Sequence, residues 1–174
     1  MAHLLNGCHT EFGNFYSRRH DRIVNYLYDQ IKSVDRRYRT YNNKNIETIL
    51  PENRERLLLS NCRRPDIIRF DSINRNIEII EITICYDLYF EQARISKKEK
   101  YIPLVNALES LGYFVKMYVL CFGSLGNVTK ECSKIVHKLC KNRSKAKDIL
   151  KWCSISVIIG ANYIRRNRVK KLLT

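Results

Sequence analysis

Proline and glycine are scarce in this chain, at three and six of 174 residues, while tyrosine and phenylalanine reach eleven and six and hydrophobic residues 45%. That balance excludes a disordered or linker-like polypeptide and leaves enough apolar material for the core of one domain. Acids are in deficit too: 17 against 32 lysines and arginines, a formal charge of +15 and a pI of about 9.7. Such an excess is unusual for a small-metabolite enzyme. It suits a polyanionic partner, nucleic acid ahead of an anionic membrane. No apolar run is long enough to span a bilayer; the longest near the end is Ile155 to Ala161. The N-terminus has no charged start followed by an apolar stretch, so no signal peptide is expected. No CxxC pair occurs among the seven cysteines. Most adjoin apolar runs, so buried, reduced thiols in a reducing compartment are expected rather than a disulfide framework. Internal repeats and low-complexity tracts are absent.

The positive charge is unevenly spread. Residues 1–70 carry 13 bases and 8 acids, 71–129 carry 6 and 7, and 130–174 carry 13 and 2. Acids thus gather in the middle, where catalysis would sit, and bases at the C-terminal end. A solvated surface is the competing explanation of the lysine-rich segment.

Periodicity supplies the elements. Ile23, Leu27, Ile31 and Val34 predict an amphipathic helix over His20–Val34, capped by Ser17 or Asp21. The polar segment 36–53 is expected to be a long loop, and Leu57–Leu59 an edge strand. Two strands follow, about Asp66–Phe70 and Ile77–Cys85, joined as a hairpin through 72–76. The second is apolar on both faces, as a central strand covered by helices on each side requires. A helix over 89–111 should end at Gly112 and bend or restart at Pro103. Tyr113–Phe122 is a third strong strand, and helices over 129–143 and 145–171 close the chain. The expected class is α/β, a small mixed β-sheet sandwiched by helices.

Within this frame one constellation carries chemistry. Hydrolysis of a phosphodiester at neutral pH calls for a divalent metal, and Mg²⁺ takes one or two carboxylates plus waters and the phosphate. Asp66 and Glu81 lie on adjacent strands if the hairpin forms. Strand alternation sets Glu81 on a face with Ile77, Ile79 and Thr83, opposite to Glu78, Ile80, Ile82 and Ile84. A mid-strand carboxylate among apolar side chains needs a cation. At 100° per residue Lys97 falls on the stripe of Tyr101, Leu104, Leu108 and Leu111, with Lys98 as the second choice. The alternative is a buried Glu81–Lys97 bridge without catalysis.

Three motifs, Arg64-Pro65-Asp66, Ile80-Glu81-Ile82-Thr83-Ile84 and Lys97-Lys98-Glu99-Lys100-Tyr101, together resemble a known family: the restriction-endonuclease-like (PD-(D/E)xK superfamily) domain of site-specific non-LTR retrotransposons. Arg19-His20-Asp21-Arg22-Ile23 is similar to the family's first helix start. Val119–Leu125 and Val157–Arg165 resemble its closing strand-turn and last helix. The resemblance implies a metal-dependent DNA endonuclease that nicks duplex DNA. Asp66 and Glu81 would bind Mg²⁺ or Mn²⁺, Lys97 would be a catalytic lysine displaced from strand to helix, and Lys100 and Tyr101 would support it. Nuclear double-stranded DNA is the implied partner, with RNA as the alternative, and a fused reverse transcriptase the implied context. Three features depart from the family: Glu81 replaces the commoner Asp, Thr83 occupies the usual lysine position, and no CxxC precedes His3 and Cys8. These two keep the H-x₄-C spacing of a zinc knuckle, but a four-ligand zinc site cannot form. Residues 1–19 are therefore expected to be a knuckle remnant and linker before a domain at 20–174, the whole a C-terminal fragment of a larger element. A catalytically inactive nucleic-acid-binding relic is the alternative, and a resolvase of branched DNA a third possibility.

Phosphate contacts are expected from Arg18, Arg19, His20 and Arg22 at the first helix start, from Arg63 and Arg64 beside Asp66, and from Arg165 and Arg166 with Arg168, Lys170 and Lys171 in the last helix. Trp152 is read as core. No base-reading element is evident, so no target sequence follows.

Overall fold

The β-branched run Ile77–Ile84 builds the strand from which everything else is hung. In the computed structural model, residues 13–58 and 62–172 are described, with the backbone alone for 13 and 168–172. Strand β3 (Asn76–Cys85) is central. β2 (Ile67–Asp71) pairs with it antiparallel, from Ile67↔Ile80 to Asp71↔Asn76. Their turn is held by Asp71 Oδ1, which accepts the N–H groups of Ile73 and Asn74 at 3.1 Å. β4 (Phe114–Gly123) lies on the other side of β3 and parallel to it, with Glu81 opposite Val119. A parallel pair needs a long crossover, supplied by helix α4 (Phe90–Ser110). β1 (Arg39–Asn42) adds antiparallel to β2, giving a mixed sheet in the order β1-β2-β3-β4.

Helices cover both faces. Ile80 and Ile82 of β3 pack with α1 (Gly13–Ile31), α5 (Lys130–Cys140) and α6 (Arg143–Leu172). Ile77 and Ile79 pack with α2 (Ile46–Ile49), α3 (Arg54–Leu58) and Tyr101, Leu104 and Leu108 of α4. The protein is thus a mixed α/β sandwich. At the end of α4, Tyr113 N–H bonds to the Leu108 carbonyl and Gly112 N–H to that of Glu109. With Gly112 at φ +80° this is a Schellman cap, the conformation for which glycine is preferred. The six described cysteines are free thiols, and burial pushes Cys121 and Cys153 up to about 12.

Several boundaries differ from the periodicity-based expectation. α1 begins at Gly13 rather than His20, so a boundary between residues 19 and 20 falls inside a helix. Packing extends it: the Phe15 ring meets that of Tyr163 edge-on at 5.2 Å. The segment 36–53 is not one loop but β1, α2 and a 3₁₀ turn at Pro51–Asn53. Each is short, and it is fixed by pairing with β2 or by burying Ile46 and Leu50. Leu57 is buried from the helix α3, not from an edge strand; Leu59 lies outside the described residues, as do His3 and Cys8. α4 runs unbroken through Pro103, an exposed position.

A buried ion pair ties the two strands on the α1 side. Arg69 Nη1 donates to Glu78 Oε2 at 2.6 Å, and the guanidinium also lies 4.4 Å from the centre of the Tyr38 ring. Removing one partner of a buried pair strands the other charge and costs about 3–5 kcal/mol, whereas replacing both by apolar groups is often neutral. Urea denaturation should therefore show a loss of that size in Arg69→Ala and recovery of most of it in Arg69→Met/Glu78→Leu.

Candidate functional site

The site begins where the β2–β3 ladder stops. Beyond the pair Ile67↔Ile80, two carboxylates take over from carbonyl oxygens as acceptors. Asp66 N–H donates to Glu81 Oε1 at 2.9 Å, and Ile82 N–H donates to Asp66 Oδ2 at 2.8 Å. The two acids are thereby locked side by side. Glu81 is 1% exposed, and its other oxygen accepts from Lys97 Nζ at 2.9 Å. It is Lys97, not Lys98, whose ammonium reaches Glu81. Tyr101, one turn further along α4, is buried and donates its hydroxyl to the Arg64 carbonyl at 3.3 Å. Burial, then the Glu81 charge, pushes that phenol far above its ordinary range, so it stays protonated. Lys100 is exposed, with Nζ 3.4 Å from the Tyr101 oxygen.

His20 approaches from α1 on the other face. Its Nε2 lies 3.2 Å from Asp66 Oδ2 and 3.1 Å from the Ile82 carbonyl, and its Nδ1 lies 3.1 Å from Asp21 Oδ1. Burial opposes the charged ring, but the hydrogen bond to Asp66 and the charge of that carboxylate outweigh it, raising His20 to about 9. Burial likewise acts to raise Asp66, and the hydrogen bond from and charge of His20, with Ile82 N–H and Lys97, hold it below the usual carboxylate value. An open cleft runs past this group, lined by Tyr16, Ser17, His20, Thr83, Ile84 and Lys97.

Asp66 Oδ2 and the Ile82 carbonyl both face one point, held by His20 Nε2. The oxygen donors of the kind that Mg²⁺ or Mn²⁺ takes are the carboxylates of Asp66 and Glu81, held side by side by their exchanged backbone bonds. Among the described residues no group of three or more His, Cys, Asp or Glu side chains gathers closely enough to hold a metal. Two carboxylates are the number that Mg²⁺ takes where water and substrate complete its shell.

The basic residues divide. Arg18 is exposed beside the α1–α6 groove, and Arg22 stands over the Trp152 ring at 5.3 Å. Trp152 itself stacks on Tyr26 at 3.7 Å. Arg19 is not presented to solvent: it is 6% exposed, its stem fills the space where a side chain at Gly160 would go, and burial lowers it to about 10. Arg63 pairs with Glu47 at 3.0 Å, while Arg64 is exposed and donates to the Asn43 carbonyl at 2.8 Å. Arg165 and Arg166 are exposed on α6, and nothing is described of the side chains at 168, 170 and 171. Sequence reasoning assigned His20 to phosphate binding and missed its contact with Asp66. The signal was its place three residues before Ile23 and seven before Leu27, on the buried stripe of α1, where a polar ring must find a partner.

Compared with known proteins, the chain matches no protein-family model and no curated sequence. No helix among the described residues is long and apolar enough to cross a membrane.

The His20–Asp66 pair has a defined pH signature. A His raised to about 9 from 6.5 stabilises fully below pH 6.5 and loses that contribution as pH rises through 9. A depressed Asp stabilises above its unfolded value near 3.9 and loses the contribution as pH falls below it. In thermal melts of the metal-free protein, wild type should exceed His20→Gln in Tm most between about pH 4 and 6.5. The gap should close by pH 9–10; a constant gap would dissociate His20 from Asp66.

Proposed function

We propose that this protein is a metal-dependent endonuclease domain that nicks duplex DNA, with the restriction-endonuclease-like organisation of non-LTR retrotransposon proteins and nuclear DNA as its substrate. The observation that carries the reading is the convergence of Asp66, Glu81 and Lys97 at one end of the β2–β3 ladder. Asp66 and Glu81 would hold Mg²⁺ or Mn²⁺, which when bound supplies charge neutralisation at the phosphate and acidifies water. The protein does the rest by orientation. Ile82 N–H and His20 fix the Asp66 carboxylate, and Asp66 N–H fixes that of Glu81. Lys97, 28% exposed at its side chain, stands between Glu81 and the cleft. It can orient the attacking water as the P–O bond to the leaving oxygen breaks, and it can meet the negative charge that grows on the phosphate. The protonated Tyr101 and the Lys100 ammonium brace this arrangement, and Arg64 lies near enough to Asp66 in sequence to bind a flanking phosphate.

Two observations favour a second reading, a relic that binds nucleic acid without cutting it. Thr83 stands at the superfamily's usual lysine position, and the Glu81–Lys97 pair at 2.9 Å is also what a retired site would keep.

A nicking assay on supercoiled plasmid with Mg²⁺ or Mn²⁺, run beside a gel-shift with duplex DNA, separates the two. Asp66→Asn, which keeps an acceptor for Ile82 N–H, should lose on the order of 10²–10³ in rate, as removal of one such electrostatic interaction does. Lys97→Ala should lose a comparable factor and Lys98→Ala little, with duplex binding retained in all three. Undiminished nicking by Asp66→Asn removes the assignment. Binding without nicking by wild type leaves the relic.

A further inference from the structure

We infer that the α5–α6 helical hairpin is a second surface for duplex DNA, separate from the cleft. Lys141 caps the C-terminal end of α5, and within the helix Lys130, Lys134 and Lys138 follow one another at steps of four. At 100° per residue they fall within an arc of about 80°, each four-residue step rising about 6 Å along the axis. All four are exposed. The first half of α6 repeats the device with Arg143, Lys147 and Lys151, also exposed. Between residues 130 and 151 there are eight bases and two acids, Glu131 and Asp148.

Little of this charge is used inside the protein. Lys141 binds Asp35 at 2.5 Å and Lys138 sits 5.2 Å over the Tyr118 ring. Glu131 is engaged by Arg94 at 3.5 Å. Among the described residues no ion pair involves Lys130, Lys134, Arg143, Lys147 or Lys151. The opposite sides of both helices are anchored through Val136, Leu139, Ile149 and Cys153 in the core. The rows are therefore held facing outward, and like charges at i,i+4 repel unless a polyanion lies across them.

The surroundings select the polyanion. A membrane-surface helix interleaves its bases with large apolar side chains, and no exposed large hydrophobic lies from 126 to 154, the nearest being Leu125 and Ile155. A single-strand groove needs free aromatic platforms. Here Trp152 is stacked on Tyr26 and in contact with Arg22, and Tyr118 lies under Lys138. What remains is a rigid track of ammonium groups for the phosphates of a duplex, giving affinity without sequence information. This deepens the DNA-cutting reading and takes from it only the identity of the polyanion.

The test is fluorescence anisotropy of the full chain with a duplex of about 30 base pairs in EDTA, from about 50 to 300 mM salt. The comparison is wild type against Lys130→Gln/Lys134→Gln/Lys147→Gln/Lys151→Gln. The slope of log K against log salt should fall by about 3–4, since each phosphate that a lysine no longer neutralises removes about 0.9, with Tm unchanged. An unchanged slope overturns the inference, and so does lysine-dependent binding that prefers phosphatidylserine vesicles or a single strand of the same length to the duplex. Because no divalent metal is present, failure of the nuclease reading shows separately: plasmid left uncut while the four lysines still set the slope.

Discussion

The exchange of hydrogen bonds between Asp66 and Glu81 governs this structure. Each acid borrows a backbone N–H from the strand carrying the other, Glu81 from Asp66 itself and Asp66 from Ile82. The ladder is thus prolonged by side chains past its last registered pair. A slip of one residue would turn Glu81 to the opposite face of the sheet and undo both bonds at once. Site geometry and sheet register are therefore one constraint.

β3 carries two buried acids and treats them in different ways. Glu78 is neutralised by Arg69, a buried guanidinium from the neighbouring strand that lies against the Tyr38 ring, and both side chains are buried. Glu81 is neutralised by Lys97, a flexible stem from a helix that remains partly in contact with solvent. A rigid planar fork between strands suits a permanent bridge. A single ammonium on four methylenes at a cleft margin can shift its allegiance to an arriving anion. The two carboxylates, three residues apart, therefore face opposite sides of the sheet, one paired within the sheet and the other with a helix at the cleft margin.

Much of this was legible in the sequence, and what was hidden had physical reasons. Alternation over Ile77–Ile84 assigns Glu81 its face without any tertiary information, and the 3.6-residue period of α4 assigns Lys97 its stripe. The strand signal leaves no second choice, whereas the helical one, interrupted by Pro103, keeps Lys98 in view until the contact of Lys97 with Glu81 decides it. β1, α2 and α3 escaped because four or five residues cannot establish a period; Thr40, Ile46 and Leu57 become ordered only through what they touch. The extent of α1 was hidden for the same reason, since the polar turn at its start is stabilised by Tyr163 and Gly160 far along the chain. His20 is the instructive case. Its stripe position announced a buried partner, but that the partner would be Asp66 depends on how α1 crosses the sheet, which no local pattern encodes.

The approach of Lys97 to Glu81 has a topological basis. β3 and β4 are parallel, so the chain must cross over the sheet between them, and α4 is that crossing. It lies on the same face as Glu81, which the alternation of β3 points toward it. The helix must bury Tyr101, Leu104 and Leu108 against that face. A residue one turn before Tyr101 on the same stripe is then carried over the strand end where Asp66 and Glu81 meet. Packing of the helix sets where the Lys97 ammonium stands. The position of Lys97 is accordingly as tightly specified as that of the acids. It is held by the core of the second layer, through the apolar stripe of α4.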